Sequence, residues 1–396
     1  KGFNMTTVIS GVQYSGRWNL QAQAQAESAS TWPKPLPPYG LYVWGQNING
    51  QIGLGDTANR SSPVLLGSEN WSASARAVFG GAQSSGAIRA DGTIWVMGAN
   101  NNYQLGTGNN TAYSSPVQLG ALTNWLKATG GNYHTHSIKT DGTLWAWGRN
   151  ALGQLGLGDS GATSRSSPVQ VGALTTWLEV SAGHAFTVGV TTDGKLYAWG
   201  YNTWGSLGIG NNTNQSSPVQ VGALTTWASV ACGQITTYAI KTDGTLWGWG
   251  YNNVGQVGDG STTVRSSPVQ IGALTTWSKI GGLTASAIAI KTDGTLWMWG
   301  DNTYGQLGDG TTSVRNSPIQ VGSLTTWSKV GATNYAALAI KTDGTTWVWG
   351  RNQYGQLGQG NTADYSSPVQ VGGLTTWAQV RNDPEGAAVL TIKTPN

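Results

Sequence analysis

Apolar and polar residues alternate with a period of two through most of this 396-residue chain, in short runs broken by Gly, Asp and Pro. Residues 268–300 show the pattern once. Pro268-Val269-Gln270-Ile271 reads as a short strand opened by proline, where a missing N–H does least harm. Gly272 to Thr276 turns the chain, and Trp277-Ser278-Lys279-Ile280 alternates as a half-buried strand does. Gly281-Gly282 permits a reversal, Ala287-Ile288-Ala289-Ile290 makes the third strand and Leu296-Trp297-Met298-Trp299-Gly300 the fourth. Asp293-Gly294, between the last two, predicts a type I′ hairpin turn with positive φ at both residues.

The same unit recurs at Asp91-Gly92, Asp141-Gly142, Asp193-Gly194, Asp243-Gly244 and Asp343-Gly344. The Trp-Gly or Met-Gly landmarks from Trp44 to Trp349 are spaced by 53, 50, 52, 50, 50 and 50 residues. A seventh unit supplies only Ala387-Ala388-Val389-Leu390-Thr391-Ile392-Lys393-Thr394. Its second half, Leu41-Tyr42-Val43-Trp44-Gly45, stands at the other end of the array. One four-stranded sheet cannot bury both its faces, so such units stack on their neighbours. The expected fold is all-β: a seven-bladed β-propeller of four-stranded antiparallel blades, closed by pairing the N-terminal strand with the C-terminal strand. The expected division is an attachment segment with a Pro-rich linker at 1–39 and the propeller at 40–396.

Of 21 Trp, 18 fall at three repeat positions, those of Trp277, Trp297 and Trp299. Recurrence in register argues for blade-to-blade packing rather than platforms for sugars or bases. Only Trp18, Trp32 and Trp204 lie elsewhere. Charged residues are 10% of the chain, and the polarity is carried by Gly, Ser, Thr and Asn. A net charge of +4 at this length gives no basis for specific nucleic-acid binding. The single cysteine, Cys232, excludes an intrachain disulfide and sits where a buried thiol is expected. No run has the length and apolarity of a transmembrane helix, so membrane insertion is not expected.

The string Trp299-Gly300-Asp301-Asn302-Thr303-Tyr304-Gly305-Gln306-Leu307-Gly308, with Ser-Pro-Val-Gln after it in most copies and Asp-Gly-Thr-Leu-Trp before it, resembles the regulator-of-chromosome-condensation repeat. The resemblance covers about 350 residues and implies a seven-bladed propeller, in agreement with the count of units. Its founding member promotes nucleotide exchange on a small GTPase and binds nucleosomes, through an acidic and polar face and a hairpin wedge. The near-constant spacing here leaves no wedge. The repeat's customary histidine survives only as His134, with Ser84, Phe186, Thr236, Ser286 and Ala336 at the equivalent places, so exchange activity is not expected. A second resemblance covers residues 1–39. Val8 through Tyr14, Arg17-Trp18-Asn19-Leu20, Gln21-Ala22-Gln23 and Thr31-Trp32-Pro33 are similar to a leader on structural proteins of tailed bacteriophages, particularly marine and cyanobacterial ones.

Without that resemblance, Asn19 to Ser28 suits a helix by composition and an extended strand by its Gln/Ala alternation. About 39 residues are too few to bury a core unaided. The segment is expected to order on a partner, with Tyr14, Trp18, Leu20 and Trp32 as tether contacts, and to be a route to oligomers.

Turns alternate between two rims in such a blade. The Gly-Ala-Leu-Thr-Thr and Asp-Gly turns share a uniform rim; the Gly-Gly reversals and long Asn-x-x-Gly-Gln-Leu-Gly loops share a variable one. On the variable rim stand Tyr103, Leu152, Trp204, Val254, Tyr304 and Tyr354, and, before the Ser-Pro strand, Arg60, Tyr113, Arg165, Arg265, Arg315 and Tyr365. Aromatics and Arg of this kind supply binding hot spots, whereas unrestrained loops also drift. These twelve are the candidate binding residues. On the uniform rim Arg89, Lys139, Lys241, Lys291, Lys341 and Lys393 read as solvated and partly neutralised by the neighbouring Asp, with a ring around an anion as the alternative.

His134, His136 and His184 lack matching cysteines, so no zinc site is expected. Asp56, Asp159, Asp259 and Asp309 are expected to bond turn backbone rather than calcium. No nucleophile, paired-carboxylate or phosphate-cradle motif appears, and no cofactor is expected. The first functional expectation is a noncatalytic virion protein, its propeller displayed for other virion proteins or a host-surface glycan. The alternatives are a cellular interaction scaffold of the repeat family and a glycan-active enzyme.

Overall fold

The computed structural model describes residues 3–9, 12–18, 39–159, 163–381 and 383–394. The chain separates into two compact units, residues 1–38 with 395–396, and residues 39–394. In the first, strands Phe3–Ile9 and Val12–Trp18 form an antiparallel hairpin, an element that the residues had not suggested. Tyr14 and Trp18 lie in its second strand; Leu20, Trp32 and the stretch read as helix or strand lie outside the described residues.

The second unit is seven four-stranded antiparallel sheets arranged as blades. Blades 1 to 6 cover residues 71–118, 125–170, 177–220, 227–270, 277–320 and 327–370. In blade 5 the order from axis to periphery is Trp277–Gly282, Ser286–Lys291, Leu296–Gly300 and Arg315–Gln320. The segment Pro268-Val269-Gln270-Ile271 therefore does not open this unit. It runs in and just beyond Arg265–Gln270, the outermost strand of blade 4. The proline tolerates that place because an outermost strand has one unpaired edge. Blade 7 joins Trp377–Val380 and Ala388–Lys393 to Gly40–Gly45 and Arg60–Leu65. Closure is in register, with Leu41 opposite Ile392, Val43 opposite Leu390 and Gly45 opposite Ala388.

The apolar core is not one mass but seven clusters, each built from two adjacent blades. In one of them Tyr238 and Leu246 of blade 4 meet Trp277, Ala287 and Trp299 of blade 5. The packing reading of the Trp repeat is correct, and the indole nitrogens add to it. Trp299 Nε1 donates to the Gln256 carbonyl of the preceding blade at 3.0 Å. Trp44, Trp147, Trp199, Trp249 and Trp349 repeat this bond at 2.9–3.1 Å. These six buried N–H groups are thus satisfied across an interface, whereas the indole nitrogens of the innermost strands, such as Trp277 Nε1, are buried without a partner. The accepting loop reaches the indole only because of its glycine: a Cβ on Gly258 would lie 2.5 Å from Trp299 Nε1, and φ there is +88°. The Asn of the loop is equally committed, since Asn302 Oδ1 accepts Leu307 N at 2.9 Å and its Nδ2 donates to the Thr311 and Ser313 carbonyls.

The Asp-Gly turns are not type I′. Gly294 has φ +77°, and Asp293 is not among the non-Gly residues with positive φ. Gly294 N donates to Lys291 O and Lys291 N donates to Thr295 O, which is a three-residue loop with the glycine in the left-handed position. Asp293 escapes the strain by using its carboxylate: Oδ1 accepts both Thr295 N at 2.9 Å and Thr295 Oγ1 at 2.6 Å.

Near the axis on the variable rim, six backbone hydrogen bonds run from blade to blade. Ala82 donates to Asn132, Asn132 to His184, His184 to Gln234, Gln234 to Thr284, Thr284 to Asn334 and Asn334 to Gly386, at 2.8–3.4 Å. Blade 7 departs from its siblings here, replacing the Gly-Gly reversal by a longer loop at residues 381–386. Within it Asp383 accepts from Gly80 N at 3.0 Å, Thr129 Oγ1 at 2.8 Å and Gly130 N at 3.4 Å. Arg381 Nη2 donates to Gly81 O at 3.0 Å, and Arg381 O accepts from Ala332 N at 3.1 Å. One loop thus ties blade 7 to blades 1, 2 and 6, beyond what strand pairing provides.

Removing one partner from a buried charged network costs about 3–5 kcal/mol. Asp383→Ala is therefore expected to lower the unfolding free energy by that much, measured by urea titration followed by Trp fluorescence. A second expectation concerns acid. Burial holds His136 down to about 3 and His134 well below its ordinary range. A depressed histidine is neutral when folded and takes up its proton on unfolding, so stability is full above about pH 6.5 and falls as pH drops, by up to about 1.4 kcal/mol per unit per group. His184 acts in the opposite sense, because its bond to Glu385 raises it. Tyr238 occupies the place of His136 in blade 4, edge-on to Trp299 as His136 is to Trp199. His136→Tyr should fold and should flatten the fall in Tm between pH 6.5 and 4.

Candidate functional site

The twelve variable-rim candidates separate into two groups. Those before the outer strand are engaged within their own loops. Arg60, Arg165, Arg265 and Arg315 pair with Asp56, Asp159, Asp259 and Asp309 at 2.5–2.8 Å. The Asp residues also cap turn backbone, as in Ala58 N to Asp56 Oδ1 at 3.0 Å and Thr311 N to Asp309 Oδ1 at 2.9 Å. Tyr113 and Tyr365 hydroxyls accept from Asn109 and Asn361, both at 3.1 Å. These six side chains brace long loops at the periphery of the rim. No group of three or more His, Cys, Asp or Glu that suits a metal occurs among the described residues.

The other group sits where each long loop turns. Leu152 and Val254 are half-buried, and their N–H groups bond the Gln154 and Gln256 side chains at 2.8 and 2.9 Å. Tyr103 is also half-buried and sits at φ +62°. Trp204 is 39% exposed and packs on Tyr251 of the next blade, ring centres 4.7 Å apart. Tyr304 packs on Tyr335 at 5.3 Å, and the Arg351 guanidinium lies 4.5 Å from the first ring and 5.6 Å from the second. A cavity of about 380 Å³ adjoins this trio, lined by Gln46, Gln83, Asn334, Tyr354 and Glu385 among others. At its base Glu385 is nearly buried and bonds His184 Nδ1 at 3.3 Å.

The rim thus carries two aromatic patches, Trp204 with Tyr251 and Tyr304 with Tyr335 and Arg351. Tyr251, Tyr335 and Arg351 were missed by sequence reasoning. Tyr251 and Arg351 precede the loop Asn, a place that varies as Gln46, Ala99, Arg149, Tyr201, Tyr251, Asp301 and Arg351. That variation was the available signal. His134 and its equivalents, by contrast, are buried at the start of each second strand. His134 Nε2 meets Thr187 Oγ1 at 3.1 Å, and Ser286 Oγ donates to Asp301 O at 2.8 Å. The position bears on packing, and its residue type says nothing about exchange.

On the uniform rim Lys139, Lys241, Lys291 and Lys341 are not freely solvated. Lys291 Nζ lies 3.4 Å from the centre of the Trp297 ring and 5.1 Å from that of Trp277, and is 7% exposed. Lys139, Lys241 and Lys341 repeat the arrangement, and Arg89 does so between Trp95 and Trp71. The ammonium exchanges part of its hydration for two ring faces, and burial lowers the lysine pKa against the pull of the adjacent Asp. The ring nitrogen of Trp297 donates to Thr295 Oγ1, which donates to Asp293. One turn therefore holds Asp, Thr, Trp and Lys in a single network.

The Regulator of chromosome condensation (RCC1) repeat matches residues 40–88, 91–138, 141–190, 193–240, 243–281, 293–340 and 343–381. The chain belongs to the RCC1 repeat family. Its repeats straddle blades: the match at 193–240 begins ahead of the third strand of blade 3 and ends in the second strand of blade 4. The chain is 30% identical over 171 residues to the ultraviolet-B receptor UVR8 of Arabidopsis thaliana, 43% of this chain and 39% of the receptor. Identity is 28% over 137 residues to the regulator of chromosome condensation of Xenopus laevis, 34% of this chain and 32% of that protein. The chain thus spans under half the length of these relatives. Prp20p from Saccharomyces cerevisiae, whose structure was reported with its binding properties to Gsp1p and histones, superposes with a TM-score of 0.77 at 18% identity, over 91% of this chain and 93% of its own. Human WBSCR16 superposes with a TM-score of 0.77 at 21% identity, over 90% and 99%. These two likenesses establish the RCC1-type propeller fold.

Cation–π contacts of this partly buried kind are worth about 1–2 kcal/mol. Lys291→Met, which keeps the stem and removes the charge, should lower the urea midpoint accordingly. Lys195→Met is the control, because Lys195 is paired only with exposed Asp193 and its loss should leave the midpoint unchanged.

Proposed function

We propose that the chain is a noncatalytic protein-interaction scaffold of the RCC1 type, working in a cell, and that its partner docks on the variable rim. The observation that carries this reading is the pair of aromatic patches, Trp204 with Tyr251 and Tyr304 with Tyr335 and Arg351, held on a frame whose other loop groups are internally bonded. Rigid aromatics and an arginine lose little entropy on docking and dominate interface energies. Among the peripheral candidates, Arg60, Arg165, Arg265, Arg315, Tyr113 and Tyr365 contribute by holding loop shape. Tyr103, Leu152, Val254 and Tyr354 surround the two patches as lesser contacts.

The relatives named above are cellular proteins, and Prp20p is described by its binding of Gsp1p and histones. This favours the scaffold over the virion role, with its virion-protein and host-glycan partners, which rests on residues 1–39. Nucleotide exchange is not part of the proposal. Residues 1–39 keep the role of an attachment segment, with Tyr14, Trp18, Leu20 and Trp32 as contacts.

The test is affinity capture from a cell extract, followed by a binding isotherm with the identified partner. Trp204→Ala combined with Arg351→Ala should weaken binding at least tenfold while Tm stays within about 2 °C, since both side chains lie at the surface. Binding that survives this double substitution and disappears when residues 1–39 are deleted would move recognition to the front segment and restore the virion-type reading.

A further inference from the structure

The third position of the innermost strands, beside the axis of the ring, differs from blade to blade. Blade by blade from the second to the seventh these residues are Lys127, Glu179, Ser229, Lys279, Lys329 and Gln379. All but Lys127 border one central cavity of about 450 Å³, together with Arg76, which comes from the first blade, and Asp383. In a chain only 10% charged, three cations and two carboxylates meet in this space.

The carboxylates do not neutralise the cations evenly. Glu179 is taken by Arg76, which reaches across the channel with Nε 2.9 Å from Glu179 Oε1 and Nη2 2.8 Å from Val230 O. Asp383 is sealed by Gly80, Thr129 and Gly130 and has Arg381 beside it. Lys127, Lys279 and Lys329 have no carboxylate within ion-pair distance among the described residues. Lys127 Nζ donates to Leu178 O at 2.7 Å, and Lys329 Nζ donates to Ala378 O. An ammonium has three donors, so each keeps donor capacity beyond the one bond. Burial depresses Lys127 and Lys329, and the charge of Lys279 depresses Lys329 further. Lys329, half-buried, and Lys279 thus hold like charges at one cavity, an arrangement that a bound anion relieves.

We propose that the central channel is a binding site for a compact multivalent anion, a phosphorylated or polycarboxylate small molecule, held by Lys279 and Lys329. The cavity takes a molecule of that size but not a folded partner. Lys279 and Lys329 stand two residues into their strands from the uniform-rim turns, so the ligand enters from that rim. The site is independent of the rim patches and would stand if the scaffold reading failed.

Calorimetric titration of the full chain with pyrophosphate and, separately, with citrate tests this at low ionic strength. Saturable one-to-one binding of either is expected, accompanied by a rise in Tm. Lys279→Gln with Lys329→Gln should weaken it at least tenfold. Gln379 already occupies this position in blade 7, so the double variant should fold, which an unchanged circular dichroism spectrum checks. Binding of pyrophosphate alone identifies a phosphate site, and binding of citrate alone a carboxylate site. Lys195→Gln, a charge removed from the same rim outside the channel, should leave the affinity within twofold. The proposal is overturned if neither anion binds at millimolar concentration, if the double variant binds as well as the native chain, or if Lys195→Gln weakens binding equally.

Discussion

Everything in the propeller depends on the contact between one blade and the next. A four-stranded sheet of this size has two apolar faces and no means to cover them itself, so each face is completed by a neighbour. The completion is specific because three requirements coincide at each interface. An indole fills the space, its N–H finds the carbonyl of the neighbouring loop, and that loop approaches because glycine offers no Cβ. Met97 stands where the other blades carry Trp, and there the polar half of the contact is absent while the packing persists, with Met97 fully buried against Ile52. Shape and apolarity therefore suffice at a single interface.

Because every interface needs a neighbour, an open array would leave two faces bare. The ring removes both, and blade 7 carries the burden of closing it. Strand pairing between Gly40–Gly45 and Ala388–Lys393 supplies the backbone part. The 381–386 loop supplies the rest, with a buried arginine and a buried aspartate bonded to blades 1 and 2. This is the place where the repeat rule is broken, and the departure has a structural reason. Buried charge is costly unless fully paired, and here each charge is met by backbone donors or acceptors from other blades.

A rigid ring separates framework from surface chemistry. On the uniform rim several charged residues are structural, since Lys139, Lys241, Lys291 and Lys341 each lie between two tryptophans of their own blade. On the variable rim the peripheral arginines are structural too, held by aspartates four to six residues away. What remains free to recognise something is small: two aromatic patches on the variable rim and the unpaired lysines of the channel. Both occupy places where sibling repeats differ while the surrounding bonds are the same.

The period-two alternation, the 50-residue spacing and the half-units at the two ends determined the fold class, the number of blades and the closing strand pair. These are properties of local patterning and chain connectivity, which a linear sequence records directly. Tertiary structure alone decided which side chains are available. Arg265 and Arg315 look like hot-spot residues until Asp259 and Asp309 are seen beside them, and Lys291 looks solvated until Trp277 and Trp297 close on it. Tyr335 and Arg351 lie 16 residues apart on different turns, yet share one patch, and the channel lysines come from two blades. Recognition chemistry here is a matter of distances between residues of separate repeats, and those distances exist only once the ring is closed.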